Sequence, residues 1–76
     1  MNPLRREREK RQLTKAQMSE LCGVTPGEYG RYEEGRRKPE PKRADDMARR
    51  LGNAVTRDQL LYPEEYLIPE EEAKAS

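Results

Sequence analysis

The apolar positions of this chain are few but regularly spaced, and each spaced group is framed by helix punctuation. Asn2-Pro3 reads as an N-cap with proline at the first helical position, predicting a short helix over residues 4–11. That helix is highly charged and poor in apolar residues, so contacts with the rest of the fold must hold it. Thr14-Lys15-Ala16-Gln17 has the spacing of a capping box, in which a threonine hydroxyl and a glutamine side chain satisfy each other's backbone amides. It predicts a second helix, Lys15 to about Cys22, with Met18, Leu21 and Cys22 inward. Gly23 ends it as a residue tolerant of left-handed backbone, and Val24 fills the turn. Thr25-Pro26-Gly27-Glu28 is a second box, opening a helix from Pro26 to about Glu34 with Tyr29 and Tyr32 inward and Gly35 closing it.

Residues 36–41 carry two prolines and read as a loop. Pro41 opens a fourth helix, to Leu51, with Ala44, Met47, Ala48 and Leu51 inward, and Gly52-Asn53 stops it. A third box, Thr56-Arg57-Asp58-Gln59, opens a fifth helix from Arg57 to Leu61. Pro63-Glu64-Glu65 is expected to begin one more turn that packs Tyr66 and Leu67. From Pro69 onward no apolar period remains, and a frayed or disordered tail is expected. The pattern therefore predicts an all-α domain of five helices over residues 1–62, followed by an acidic extension over residues 63–76.

Composition bounds this picture. A length of 76 residues implies one domain with a modest core. With 32% hydrophobic and 41% charged residues the chain is polar enough to raise disorder, but the spacing of its apolar residues argues for folding. The net charge of +1 hides an asymmetry. Residues 1–43 hold 12 Lys/Arg and 7 Asp/Glu, whereas residues 44–76 hold 4 and 8. A basic front half suits a polyanion; the other reading is a solvated surface with no partner. Cys22 is the one cysteine, so no intrachain disulfide forms, and the absence of histidine excludes His-dependent triads and His-containing zinc sites. No apolar run approaches a membrane span and no signal peptide is visible, so a cytoplasmic protein without catalytic apparatus, cofactor or metal is expected.

Two short helices joined by a glycine-containing turn make a helix-turn-helix, whose second helix lies in the DNA major groove. The stretch Leu13-Thr14-Lys15-Ala16-Gln17-Met18-Ser19-Glu20-Leu21-Cys22-Gly23-Val24-Thr25 resembles the lambda-repressor-like family, also called the Cro/C1 or XRE type. Tyr29 to Pro39, Met47 to Gly52 and Val55 to Leu61 resemble its later segments in order and spacing, so the likeness covers residues 4–61. It implies a five-helix DNA-binding domain and a repressor of phage or bacterial type that binds double-stranded DNA as a homodimer. It also implies an ion pair between Arg8 and Glu33; the other reading makes Arg8 one more solvated charge beside Arg5, Arg6 and Lys10. Three departures are structural: Glu7 at a usually apolar position, Ser19 at a close helix contact, and Asn53-Ala54 as a two-residue insertion.

The fourth departure concerns the reading helix, whose outward positions are Pro26, Gly27, Glu28, Gly30 and Arg31. Arg31 suits a guanine edge and Glu28 a cytosine amine. Lys15 stands at the site edge, and Gly27 completes the base-contact set without offering a side-chain hydrogen bond. For phosphates the candidates are Thr14, Thr25, Arg36, Arg37, Lys38, Lys42 and Arg43, with the outward amides at the helix starts. Cys22 is expected to fill core space, as are Tyr29 and Tyr32, whose alternative is stacking on single-stranded bases. The glutamates at 64, 65 and 70–72 read as a solvated tail rather than a metal site. Leu60, Leu61, Tyr62, Tyr66, Leu67 and Ile68 either form a dimer surface or seal the monomer core. The poverty of the reading helix keeps a second class open: a protein-interaction module, or an antitoxin whose main partner is another protein.

Overall fold

All three capping boxes form. The hydroxyls of Thr14, Thr25 and Thr56 accept from the amides of Gln17, Glu28 and Gln59, whose side chains accept in return from the threonine amides. Each cap stabilises its helix by about 1 kcal/mol. The computed structural model describes residues 1–71 and places the helices as α1 (Pro3–Lys10), α2 (Lys15–Cys22), α3 (Pro26–Glu34), α4 (Pro41–Arg50) and α5 (Arg57–Leu61), followed by a 3-10 turn, Pro63–Glu65. No strand occurs among the described residues. Residues 72–76, the end of the expected tail and Glu72 with it, lie outside them.

Four helices end by the same device. After α2, the Gly23 amide donates to Glu20 O and the Val24 amide to Ser19 O. After α3, Gly35 and Arg36 donate to Tyr32 O and Arg31 O. After α4, Gly52 and Asn53 donate to Arg49 O and Ala48 O, and after α1, Gln12 and Leu13 donate to Glu9 O and Arg8 O. This closure requires a left-handed residue, which is why glycine stands at three of the four positions. Asn53 is also left-handed (φ 62°), so the residues 53–54 insertion is absorbed by two consecutive left-handed positions rather than by α5. At Gly23 (φ +73°) an added Cβ would lie 2.8 Å from the Arg50 guanidinium. That side chain can move aside, but the backbone cannot easily change hand. Gly23→Ala is therefore expected to cost about 1–2 kcal/mol, visible as a melting temperature lower by several degrees.

The core is formed by Leu4, Met18, Cys22, Tyr29, Tyr32, Ala44, Met47, Ala48, Leu51, Val55 and Leu60. Leu4 and Val55 extend the set that periodicity picks out, since each is an isolated apolar residue beside a cap. Leu21, expected inward, is only partly buried at the margin beside Leu13 and Val24. The main contacts pair α2 with α3 and α4 with α5, while α1 bridges α3 and α5.

Two departures from the family pattern have found partners. Glu7 accepts from Arg11 Nε at 2.6 Å, and Arg11 Nη2 donates to Leu51 O at 3.2 Å. An ionic relay to the end of α4 thus supplements the little apolar surface of α1. Ser19 is buried and donates to Ala16 O at 2.7 Å, which satisfies its hydroxyl.

The C-terminal expectation needs correction. Pro63 is buried, but Tyr66 and Leu67 remain 39% and 59% exposed and do not pack under the turn. The segment is instead fastened by its backbone: the Ile68 amide donates to Met1 O at 2.9 Å and the Met1 ammonium to Ile68 O at 2.7 Å. Leu60 belongs to the core and Leu61 packs against it, so neither offers a free apolar surface of the kind Tyr62 and Leu67 do.

Candidate nucleic-acid interface

α2, the Gly23 turn and α3 form one unit, and α1 is locked to its far end. Arg8 Nε and Nη2 each donate at 3.0 Å to separate oxygens of Glu33, and Arg8 Nη1 donates to Leu13 O at 3.2 Å. The Arg8 and Glu33 side chains are 16% and 4% exposed. Burial alone would push the Glu33 carboxyl up; the hydrogen bond from Arg8, with that from Tyr29 and the charges of Arg8 and Lys15, more than offsets this and holds it below its ordinary range. One guanidinium thus fixes α1, the loop before α2 and the last turn of α3.

The outward face of α3 begins at Pro26, which has no amide hydrogen, so Gly27 supplies the first N–H there. Arg31 is exposed and has no ion-pair partner among the described residues. Its Nη2 lies 4.0 Å from where a Gly27 Cβ would stand, so the side chain leans back over Gly27. Nothing lies within 4 Å of the corresponding point at Gly30, which leaves the backbone open to close approach by a ligand.

Glu28 is engaged at both oxygens. Its Oε1 accepts from the Thr25 amide at 3.1 Å and the Thr25 hydroxyl at 3.0 Å, while Oε2 accepts from Arg43 Nη1. The Thr25 amide first, and Arg43 next, hold the Glu28 carboxyl below its ordinary range. Arg43 Nη1 also donates to the Tyr32 hydroxyl at 3.2 Å. Arg43 is raised by its hydrogen bonds to Tyr32 and Glu28.

The basic candidates divide into groups. Glu28, Arg37, Lys38 and Arg43 meet with Tyr32 and Glu40 around a cleft of about 260 Å³. Lys15 stands apart, in a second cleft with Arg5, Arg8, Glu33 and Glu34. Arg36 pairs with Glu34 at 3.1 Å, and Lys38 with Glu64 at 2.7 Å while lying 5.9 Å above the Tyr62 ring. Arg37 and Lys42 are exposed and have no ion-pair partner among the described residues. Thr25 spends its hydroxyl hydrogen on Glu28, whereas Thr14 donates its own to no acceptor among the described residues.

Cys22 is fully buried, and burial pushes its thiol up to about 11, out of the range of a reactive thiolate. Tyr29 and Tyr32 lie in the core, so neither presents a ring for stacking. The Tyr29 hydroxyl donates to Leu4 O at 3.4 Å. Among the described residues no group of three or more acidic or Cys side chains is placed to hold a metal ion, and no helix is long and apolar enough to cross a membrane. Periodicity alone misses the Tyr32 hydroxyl as a surface contact. The available signal is the residue type: a tyrosine at a core position needs a partner for its hydroxyl.

A family model described as helix-turn-helix matches residues 4–57. No curated protein and no solved structure matches the chain.

Proposed function

The chain belongs to the lambda-repressor-like (Cro/C1, XRE-type) helix-turn-helix family of DNA-binding regulators, and from that membership we propose that it is a sequence-specific repressor of phage or bacterial type. It acts by occupying an operator and excluding polymerase. The observation that carries this reading is the outward face of α3, with Arg31 for a base edge and an open backbone at Gly30, supplemented by Lys15 at the start of α2 for a base edge and by the exposed Arg37 and Lys42 for phosphates. Base contacts are few, so backbone contacts and geometry supply most of the affinity.

α3 has nine residues, roughly 13 Å of rise, enough for only a few base pairs. Half-sites about 34 Å apart exceed the 31 Å longest extent of the domain. A homodimer on a two-fold operator meets both constraints. Tyr62, Tyr66 and Leu67 are its exposed apolar candidates, with Ile68 and Leu61 half-buried at their edge. A repressor of phage or bacterial type works in the cytoplasm.

The test is binding to DNA upstream of its own coding sequence, titrated between about 50 and about 200 mM salt, against a random duplex. The promoter duplex is expected to bind on the order of 10³-fold tighter or better, with a steep negative salt slope for both. Promoter binding no tighter than random would overturn the repressor reading and move the function to a protein partner.

A further inference from the structure

We propose that Glu28 is a positioning residue rather than a base reader: with Tyr32 it holds Arg43 beside the reading helix, where Arg43 meets a backbone phosphate. This rests on the DNA-binding reading above and assigns two residues of the same surface.

Glu28 has little left to offer a base. Its Oε1 already accepts twice from Thr25, and Oε2 accepts from a guanidinium. A cytosine amine would have to compete with that charge-assisted bond, the stronger kind. Arg43, by contrast, is only partly used. Both of its hydrogen bonds leave from Nη1, so Nε and Nη2 have no acceptor among the described residues, and the side chain is 43% exposed. It also joins two helices whose main packing lies elsewhere, α3 on α1 and α2, α4 on α2 and α5. Its two anchors, Glu28 and Tyr32, lie one turn apart on α3. The cleft they border also carries Arg37 and Lys38. An anion entering it meets Arg37 and the unengaged Nε and Nη2 of Arg43, while Lys38 is already tied to Glu64 and Glu28 to Arg43.

Pinning an arginine in the free protein removes rotamer freedom that DNA binding would otherwise have to remove, which favours association. The Glu28 charge works the other way, by repelling a phosphate. The two effects have opposite signs, so an experiment separates them. Gln at position 28 keeps an oxygen for the Thr25 cap but loses the ionic tie to Arg43.

The experiment compares wild type, Glu28→Gln, Arg43→Ala and the double variant on a promoter duplex and a random duplex, with circular dichroism confirming that each is folded. Arg43→Ala is expected to weaken binding to both duplexes alike, by roughly five- to tenfold, and to make the salt slope shallower by about 1. Glu28→Gln is expected to weaken both alike by a smaller factor, with the double variant no weaker than Arg43→Ala alone. Tighter binding by Glu28→Gln, or a loss confined to one base pair of the promoter duplex, overturns the proposal; so does a Glu28→Gln effect that persists undiminished without Arg43. Failure of the wild type to bind either duplex overturns the DNA-binding reading itself, whereas wild-type binding without coupling between positions 28 and 43 overturns this inference alone.

Discussion

Arg8→Ala is expected to destabilise the domain by about 3 kcal/mol or more, because it strands a buried carboxylate. For a domain of this size that corresponds to a melting temperature lower by roughly 12–24 °C. The magnitude follows from burial: Glu33 is 4% exposed at its side chain, and the bidentate contact is what offsets its desolvation. Removing both charges is a different experiment. Arg8→Met combined with Glu33→Leu leaves no unpaired charge, and such replacements are often neutral or stabilising. The double variant should therefore recover most of the loss.

The pH dependence sharpens this expectation. In the wild type the folded pKa of Glu33 is depressed. Its contribution is therefore fully present above the ordinary glutamate range and is lost as pH falls through the depressed value. In Arg8→Ala the hydrogen bond and charge of Arg8 are gone, and burial, the largest single influence on Glu33, is opposed only by the Tyr29 hydrogen bond and the Lys15 charge, so the variant gains less stability than the wild type as pH rises through the ordinary range. The gap between the two proteins should be widest near neutral pH and narrow on acidification. Melting curves from neutral pH down to about pH 4, near the ordinary glutamate value, check this. A gap that stays constant with pH would mean that the pair contributes through packing rather than charge.

The sequence reveals most clearly what is set by local chemistry. Three threonines with Glu or Gln three residues on mark three helix starts, and Gly23, Gly35 and Gly52 mark three ends, because caps and left-handed closures depend on residues within one turn. Gln12 closes α1 in the same left-handed conformation but gives no such signal, since its backbone is imposed by the fold. Side-chain ties between distant segments are harder to read. Arg11 reaching Leu51 O, Lys38 reaching Glu64 and Arg43 reaching Glu28 each link residues 15 or more positions apart. In a chain with 31 charged residues many such pairings are equally plausible. Position 28 shows the consequence. Helical phase places Glu28 on the outward face, but only the approach of α4 shows that its carboxylate is occupied there.

Arg31→Ala should have the largest effect on sequence preference. On the proposed reading Arg31 is the base reader: it is a long side chain on the outward face of α3 that no acid holds among the described residues, and glycines at 27 and 30 clear the space around it. A bidentate arginine–guanine contact discriminates by about 1–3 kcal/mol, so the variant should bind a selected operator roughly 5- to 150-fold more weakly. The loss should be confined to one base pair: an operator altered there should bind wild type and variant nearly equally. Arg37→Ala provides the contrast. Arg37 is exposed on the loop beyond α3, and on the same proposed reading its guanidinium meets phosphates rather than base edges. Its removal should weaken operator and random duplexes by similar factors and make the salt slope shallower by about 1. Competition titrations of both variants across a panel of single-base-pair operator changes measure both effects. If Arg31→Ala instead weakens every duplex equally, Arg31 serves the backbone, and sequence preference must come from Lys15 or from the shape and deformability of the bound DNA.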